Sequence, residues 1–148
     1  TDEVPTQGTA LDLACGQGGT AVWLAARGLR VLGVDVSPVA IAQAEDLAEQ
    51  TGMAGRCRFG VADLDDGPPD GTFDVVVCQR FRDPRLDRVL VDRLAPGGLL
   101  AVSALRHGRF GASAEQLRDA FAALDIVDAG ESDGIARLVG RTSRISDQ

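Results

Sequence analysis

The chain has 148 residues, 45% of them hydrophobic, and 22 acidic against 15 basic residues give a net charge of −7. That length suits one three-layer domain, expected to span 1–148 with its core at 8–142 and a short tail at 143–148, and the composition excludes a disordered or fibrous chain. The acidic balance argues against a nucleic-acid partner, which needs a basic stripe to displace counterions. No apolar run approaches the ~18 residues that would cross a bilayer. The polar start Thr1-Asp2-Glu3 is no signal peptide, so no membrane association is expected. Cys15, Cys57 and Cys78 are odd in number and far apart. They read as small core residues of a reducing, cytoplasmic protein, and with a single histidine no metal site is expected.

Apolar runs alternate with helical patterns along the chain, as in a parallel sheet covered on both faces. The first strand is read over Thr9 to Ala14, followed by a glycine turn and a helix from Thr20 to Arg27 that Gly28 stops. A second strand from Arg30 to Asp35 leads to Ser37-Pro38, a capping residue followed by proline at the first helical position, and a helix from Val39 to Gln50. The third strand is read over Arg58 to Ala62, and Gly67-Pro-Pro-Asp-Gly71 is too rich in breakers for a helix. Strand four is Phe73 to Cys78. Asp83-Pro84 opens a helix expected to reach Leu94, closed by Ala95-Pro-Gly-Gly98, before strand five at Leu99 to Ala104. A serine-capped helix is expected from Ser113 to Leu124. Asp125 to Ala129 and Ile135 to Arg141 then read as a terminal antiparallel hairpin. The fold class is therefore α/β: a doubly wound, mostly parallel seven-stranded sheet with an antiparallel C-terminal hairpin and helices on both faces.

Two acids at strand ends carry the functional reading. Gly16-Gln-Gly18 lets the backbone approach a ligand, and the following helix offers free amides. With Ala21 and Asp35 the turn also satisfies the loose dinucleotide fingerprint, which alone is weak. Asp12 separates the two ligand classes. A carboxylate there would repel a pyrophosphate but suit a ligand carrying an ammonium and a sulfonium; as a purely structural acid it would instead cap the loop amides. Asp35 sits where an acid binds ribose hydroxyls. Asp63, followed by Leu64, is read either as a contact to an adenine amino group or as a turn residue.

Five stretches in order, Leu11 to Gly18, Gly33 to Ser37, Ala62 to Leu64, Phe73 to Cys78 and Leu94 to Leu99, resemble the successive motifs of class I S-adenosylmethionine-dependent methyltransferases. The resemblance covers about residues 8 to 105, and the terminal hairpin fits that family's antiparallel last strand. One departure is Ala14, where the family commonly has glycine; its methyl group should crowd the loop. The resemblance implies that S-adenosylmethionine is the cofactor. It further implies that Asp12 and the backbone of Ala14, Cys15, Gly16 and Gly18 hold its methionine part, and that Asp35 binds the ribose with Val36 packing on the adenine. Ala62, Asp63 and Leu64 would line the adenine, and Cys78 and Gln79 the region near the sulfonium and the acceptor.

Methyl transfer from a sulfonium is a direct displacement, so alignment can supply ~7–11 kcal/mol of the catalysis and a general base is optional. Candidate bases are Asp83 and His107, the only histidine and the residue type that changes charge nearest neutral pH. Arg106-His-Gly-Arg109 reads equally well as a solvated loop. Arg80 and Arg82 are candidates for an acidic acceptor, or for ion pairs with Asp83 and Asp87. The asparagine-proline-proline signature of amino-group methylation is absent after strand four, where Cys78-Gln-Arg-Phe81 stands. The expected function is methyl transfer to a small-molecule acceptor. The chain begins almost at the first strand, so the acceptor side is expected to be open or covered by a second copy or another chain. The rivals are a partner-dependent cofactor-binding subunit and, from the glycine fingerprint alone, a nicotinamide-dependent oxidoreductase.

Overall fold

The computed structural model describes residues 3–108 and 111–143, so Thr1, Asp2, Arg109 and the expected tail beyond Ser143 lie outside the described residues. The chain forms two compact units, one ending at Gly71 and one starting at Thr72.

The first unit holds three parallel strands, β1 (Thr9–Leu13), β2 (Arg30–Asp35) and β3 (Cys57–Val61), in the order β3-β2-β1. Between them run α1 (Gly19–Arg27) and α2 (Pro38–Gln50). Apolar spacing decides which face each helix buries. Ala21, Leu24 and Ala25 turn inward from α1, and Ile41, Ala44 and Ala48 from α2. Ser37 caps α2 as expected, its Oγ accepting from the Ala40 N–H at 3.1 Å, with Pro38 at the first helical position. After β3 a single 3₁₀ turn over Leu64–Asp66 is capped by Asp63.

The second unit orders its strands β4-β5-β7-β6: β4 (Phe73–Cys78) pairs in parallel with β5 (Leu94–Leu105), and β6 (Asp125–Ser132) and β7 (Ile135–Arg141) follow antiparallel. Here the elements depart from the sequence reading at three places. The helix expected from Asp83 to Leu94 is a 3₁₀ turn (Pro84–Leu86) followed by α3 (Asp87–Asp92). Leu94 already belongs to β5, because buried Leu94 pairs with Phe73. Ala95 to Gly98 are absorbed as an irregularity, with the register jumping from Phe73↔Leu94 to Val75↔Leu99. The helix α4 (Ala114–Ala120) stops short of Leu124, since Phe121 leaves helical backbone, and Gln116 completes a capping box with Ser113. The hairpin is tighter than expected. Its strands continue to a two-residue turn in which Asp133 (φ 52°) and Gly134 (φ 76°) are both left-handed, the combination that matches strand twist.

Candidate functional site

The glycine turn leaves β1 at Ala14, and its geometry follows from what surrounds it. Asp35, at the end of β2, reaches back: its Oδ2 accepts from the Gly16 N–H and its Oδ1 from the Ser37 N–H, both at 2.9 Å. One carboxylate thus fixes the turn to the start of α2. Gly18 must be glycine, with φ 91° and a hypothetical Cβ only 2.8 Å from the Ala44 Cβ of α2. Gly33 is equally constrained, because a Cβ there would stand 2.8 Å from the Phe59 ring and 3.2 Å from the Cys15 Sγ. No side chain caps the N-terminus of α1, so its first amides are left for another acceptor.

Ala14 adopts φ 57°, the left-handed conformation that a glycine takes without strain. For alanine it costs roughly 1–2 kcal/mol. The expected crowding by its methyl group is therefore chiefly a backbone cost.

Asp12 is 1% exposed, and its Oδ2 has no hydrogen-bond partner among the described residues. Burial first, and the negative Asp35 second, push its carboxyl up to about 7. The same burial, with Asp12 and Asp35 adding, raises the Cys15 thiol to about 12, so that cysteine is inert at neutral pH. A buried carboxylate oxygen left without a donor is expensive unless a ligand completes it. An ammonium would do so and would favour the ionised form. Asp35 uses one acceptor position on each oxygen and keeps others for hydroxyl donors. The exposed flank of Asp35 is apolar: Val36 is 66% exposed, and so is much of Val61, the partner of Asp35 on β3. Ala62 is anchored by its N–H to the Asp35 carbonyl at 2.9 Å, Asp63 caps the 3₁₀ turn through its Oδ1, and Leu64 precedes the two acids of that turn. In the first unit Asp35 bonds the glycine turn and acts on the carboxyl of Asp12, with Val36 exposed beside it. The donor and acceptor set fits S-adenosylmethionine: an orphaned acid for its amino group, an acceptor for its ribose and exposed apolar side chains for its base.

In the second unit, Cys78 is buried and its Sγ lies 3.5 Å from the Phe81 carbonyl, while Gln79 is exposed. Sequence reasoning missed Ser103. Its hydroxyl is buried, accepts from the Arg80 N–H at 2.8 Å and donates to the Gln79 Oε1 at 3.0 Å. A lone hydroxyl in the apolar run Leu99 to Ala104 was its only signal. Asp83 has a structural role. Its carboxylate caps the 3₁₀ turn and pairs with Arg85, whose hydrogen bond holds it below the usual carboxylate range. His107 is exposed on the loop after β5.

The family model for "Methyltransferase domain" matches residues 10–98. The chain belongs to the class I S-adenosylmethionine-dependent methyltransferases. It is 34% identical over 115 residues to tocopherol O-methyltransferase, chloroplastic, of Arabidopsis thaliana, a match covering 73% of the chain and 33% of that relative. It is 31% identical over 136 residues to the ribosomal protein L11 methyltransferase of Burkholderia mallei, covering 89% and 42%. The chain therefore spans well under half the length of these curated relatives. The fold is shared with TehB from Haemophilus influenzae at a TM-score of 0.82 and 16% identity, over 95% of this chain and 59% of that one. The class I methyltransferase fold is the one read from the sequence, with parallel strands in each unit and an antiparallel C-terminal hairpin. S-adenosylmethionine is the cofactor of this family, and the nicotinamide reading of the glycine turn falls away.

Proposed function

We propose that this class I methyltransferase chain binds S-adenosylmethionine through its first unit and directs methyl transfer to a small-molecule acceptor. The observation that carries the proposal is the buried, unpartnered Oδ2 of Asp12 beside a glycine turn with open helix amides. When bound, the cofactor supplies an electrophilic methyl group on a positively charged sulfur. The chain's own work is to bind and align. Ionised Asp12 and the turn backbone from Ala14 to Gly18 hold the amino-acid part, Asp35 accepts from ribose hydroxyls, and Val36, Ala62, Asp63 and Leu64 receive the base. Cys78 and Gln79 line the approach of the acceptor.

The small-molecule reading draws support from the −7 charge, which disfavours RNA, and from a relative whose name specifies tocopherol. Where the acceptor needs a base, His107 is the stronger candidate. It makes no hydrogen bond to another described residue, whereas Asp83 is tied to Arg85. The three cysteines are free and buried, which suits a cytoplasmic setting. Among the described residues no helix is long and apolar enough to cross a membrane.

The test is calorimetric titration of the chain with S-adenosylmethionine, S-adenosylhomocysteine and NADH. Saturable binding of the two sulfur compounds, with none for NADH, is expected. Silence from both sulfur compounds would overturn the cofactor assignment for this chain.

A further inference from the structure

The acids that serve the cofactor lie in the first unit, yet the second unit carries an unspent positive charge. Among residues 80 to 87 three arginines follow β4. Arg82 is committed: its guanidinium grips both carboxylate oxygens of Asp87, Nη2 to Oδ2 at 2.9 Å, and lies 5.8 Å above the Phe121 ring. Arg85 is committed to Asp83, with Nη2 to Oδ2 at 2.7 Å. Arg80 is different. It is exposed, and its guanidinium has no partner among the described residues.

Its backbone is also unusual. Arg80 has φ 56°, one of three non-glycine residues in the left-handed region among those described. Asp133 is explained by the hairpin turn and Ala14 by the glycine turn. Arg80 belongs to no regular turn of either kind. Its conformation is held by the buried Ser103 hydroxyl, which accepts its N–H. Strain of this sort persists where surroundings enforce it, and it gathers at sites where a side chain must be aimed. The same hydroxyl donates to the Gln79 Oε1, which leaves the Gln79 amide N–H₂ as an exposed donor. Two adjacent residues at the carboxyl end of β4 thus offer exposed donors, one charged and fork-shaped. Such a fork matches a planar carboxylate better than any neutral group. In a chain of net charge −7, an anion gains nothing from the overall field, so its recognition has to be local.

We propose that Arg80 and Gln79 form a carboxylate clamp, latched by Ser103, that selects an organic acid as the methyl acceptor. This rests on the methyltransferase reading above and narrows its substrate class. Arg80 and Gln79 bind the acceptor, and Ser103 positions them.

The test uses the whole chain, with and without saturating S-adenosylhomocysteine, titrated with acetate, benzoate and 4-hydroxybenzoate and with the corresponding neutral amides. The arginine Nε resonances are followed by NMR. Arg80→Gly is the variant of choice, because glycine accepts the left-handed backbone and the fold is not put at risk. At least one carboxylate should bind saturably and shift the Arg80 resonance. It should bind at least tenfold more tightly than its amide, and at least tenfold more weakly to Arg80→Gly. An Arg80 signal indifferent to all three acids, equal affinity for acid and amide, or undiminished binding to Arg80→Gly would each overturn the clamp. The S-adenosylhomocysteine titration reads the cofactor site separately. Cofactor binding with a silent Arg80 sinks the clamp alone, and a responsive Arg80 without cofactor binding sinks the methyltransferase reading alone.

Discussion

Ala14 and Asp12 stand two residues apart and are strained in different ways. Ala14 holds φ 57° without glycine's freedom. Replacing it with glycine removes the roughly 1–2 kcal/mol of left-handed strain, but returns about 0.4–1 kcal/mol to the unfolded chain. Ala14→Gly should therefore stabilise the protein by about 0.5–1 kcal/mol, a rise of roughly 2 °C in melting temperature for a chain of this size. A fall in melting temperature would show that the loop is relaxed as it stands. Asp12 is strained by charge. Its carboxyl is raised by burial and by Asp35 to about 7, against 3.8 for the ordinary group. The folded state thus holds a proton more tightly than the unfolded one, so the stability this group contributes is full below about pH 4 and is lost as pH rises through about 7. The gap in melting temperature between Asp12→Asn and the native chain should shift in favour of the variant from pH 5 to pH 8. S-adenosylmethionine affinity should move the other way in the native chain, strengthening as Asp12 ionises, and should be weak and flat with pH in Asp12→Asn. Parallel pH curves for the two proteins would refute the assignment.

At the scale of elements, the turn is set by the approach of α2 to the backbone before α1. Gly18→Ala forces a Cβ to 2.8 Å from the Ala44 Cβ and 2.9 Å from its Cα, at a φ of 91°. Overpacking and backbone strain together should cost about 2–4 kcal/mol. Adding Ala44→Gly should recover only part of that, since the backbone at 18 remains wrong for alanine. Full recovery in the double variant, read by denaturant unfolding, would assign the whole cost to packing. The same elements show what a sequence discloses. The glycine turn, Asp12, Asp35 and the cap at Ser37 were legible because each depends on residues close in sequence and on strand-end position. The Ser103 latch was not, since it joins Arg80 to a residue 23 positions away. The start of β5 was hidden for another reason. Pro96 and Gly97 are ordinarily breakers, and only pairing with Phe73 shows that the strand passes through them.

Across the whole molecule, charge is divided between two kinds of recognition. Acids cluster at the strand ends of the first unit, where a cationic cofactor is expected, and Arg80 stands at a strand end in the second. Family membership was visible from five short motifs in order, because those motifs sit at the strand ends and the turns that follow them. The acceptor side was legible only in outline: Gln79 was read near the acceptor and Arg80 as a candidate for an acidic one, but the distant hydroxyl that would aim them was not.

The last strand of the second unit has a consequence for how the protein behaves in bulk. β6 is the terminal strand of the β4-β5-β7-β6 order, and it exposes Val127 at 40%. Its register slips between Ile126 and Asp128, and Asp125, Asp128 and Glu131 stud its length. Bulges and charges of this kind act as gatekeepers against strand-to-strand stacking between molecules. Asp125→Asn together with Asp128→Asn removes two of these gatekeeping charges. Solutions of that variant should show a steep rise in light scattering, and adding Val127→Lys, which plants a cation on that edge, should keep them clear.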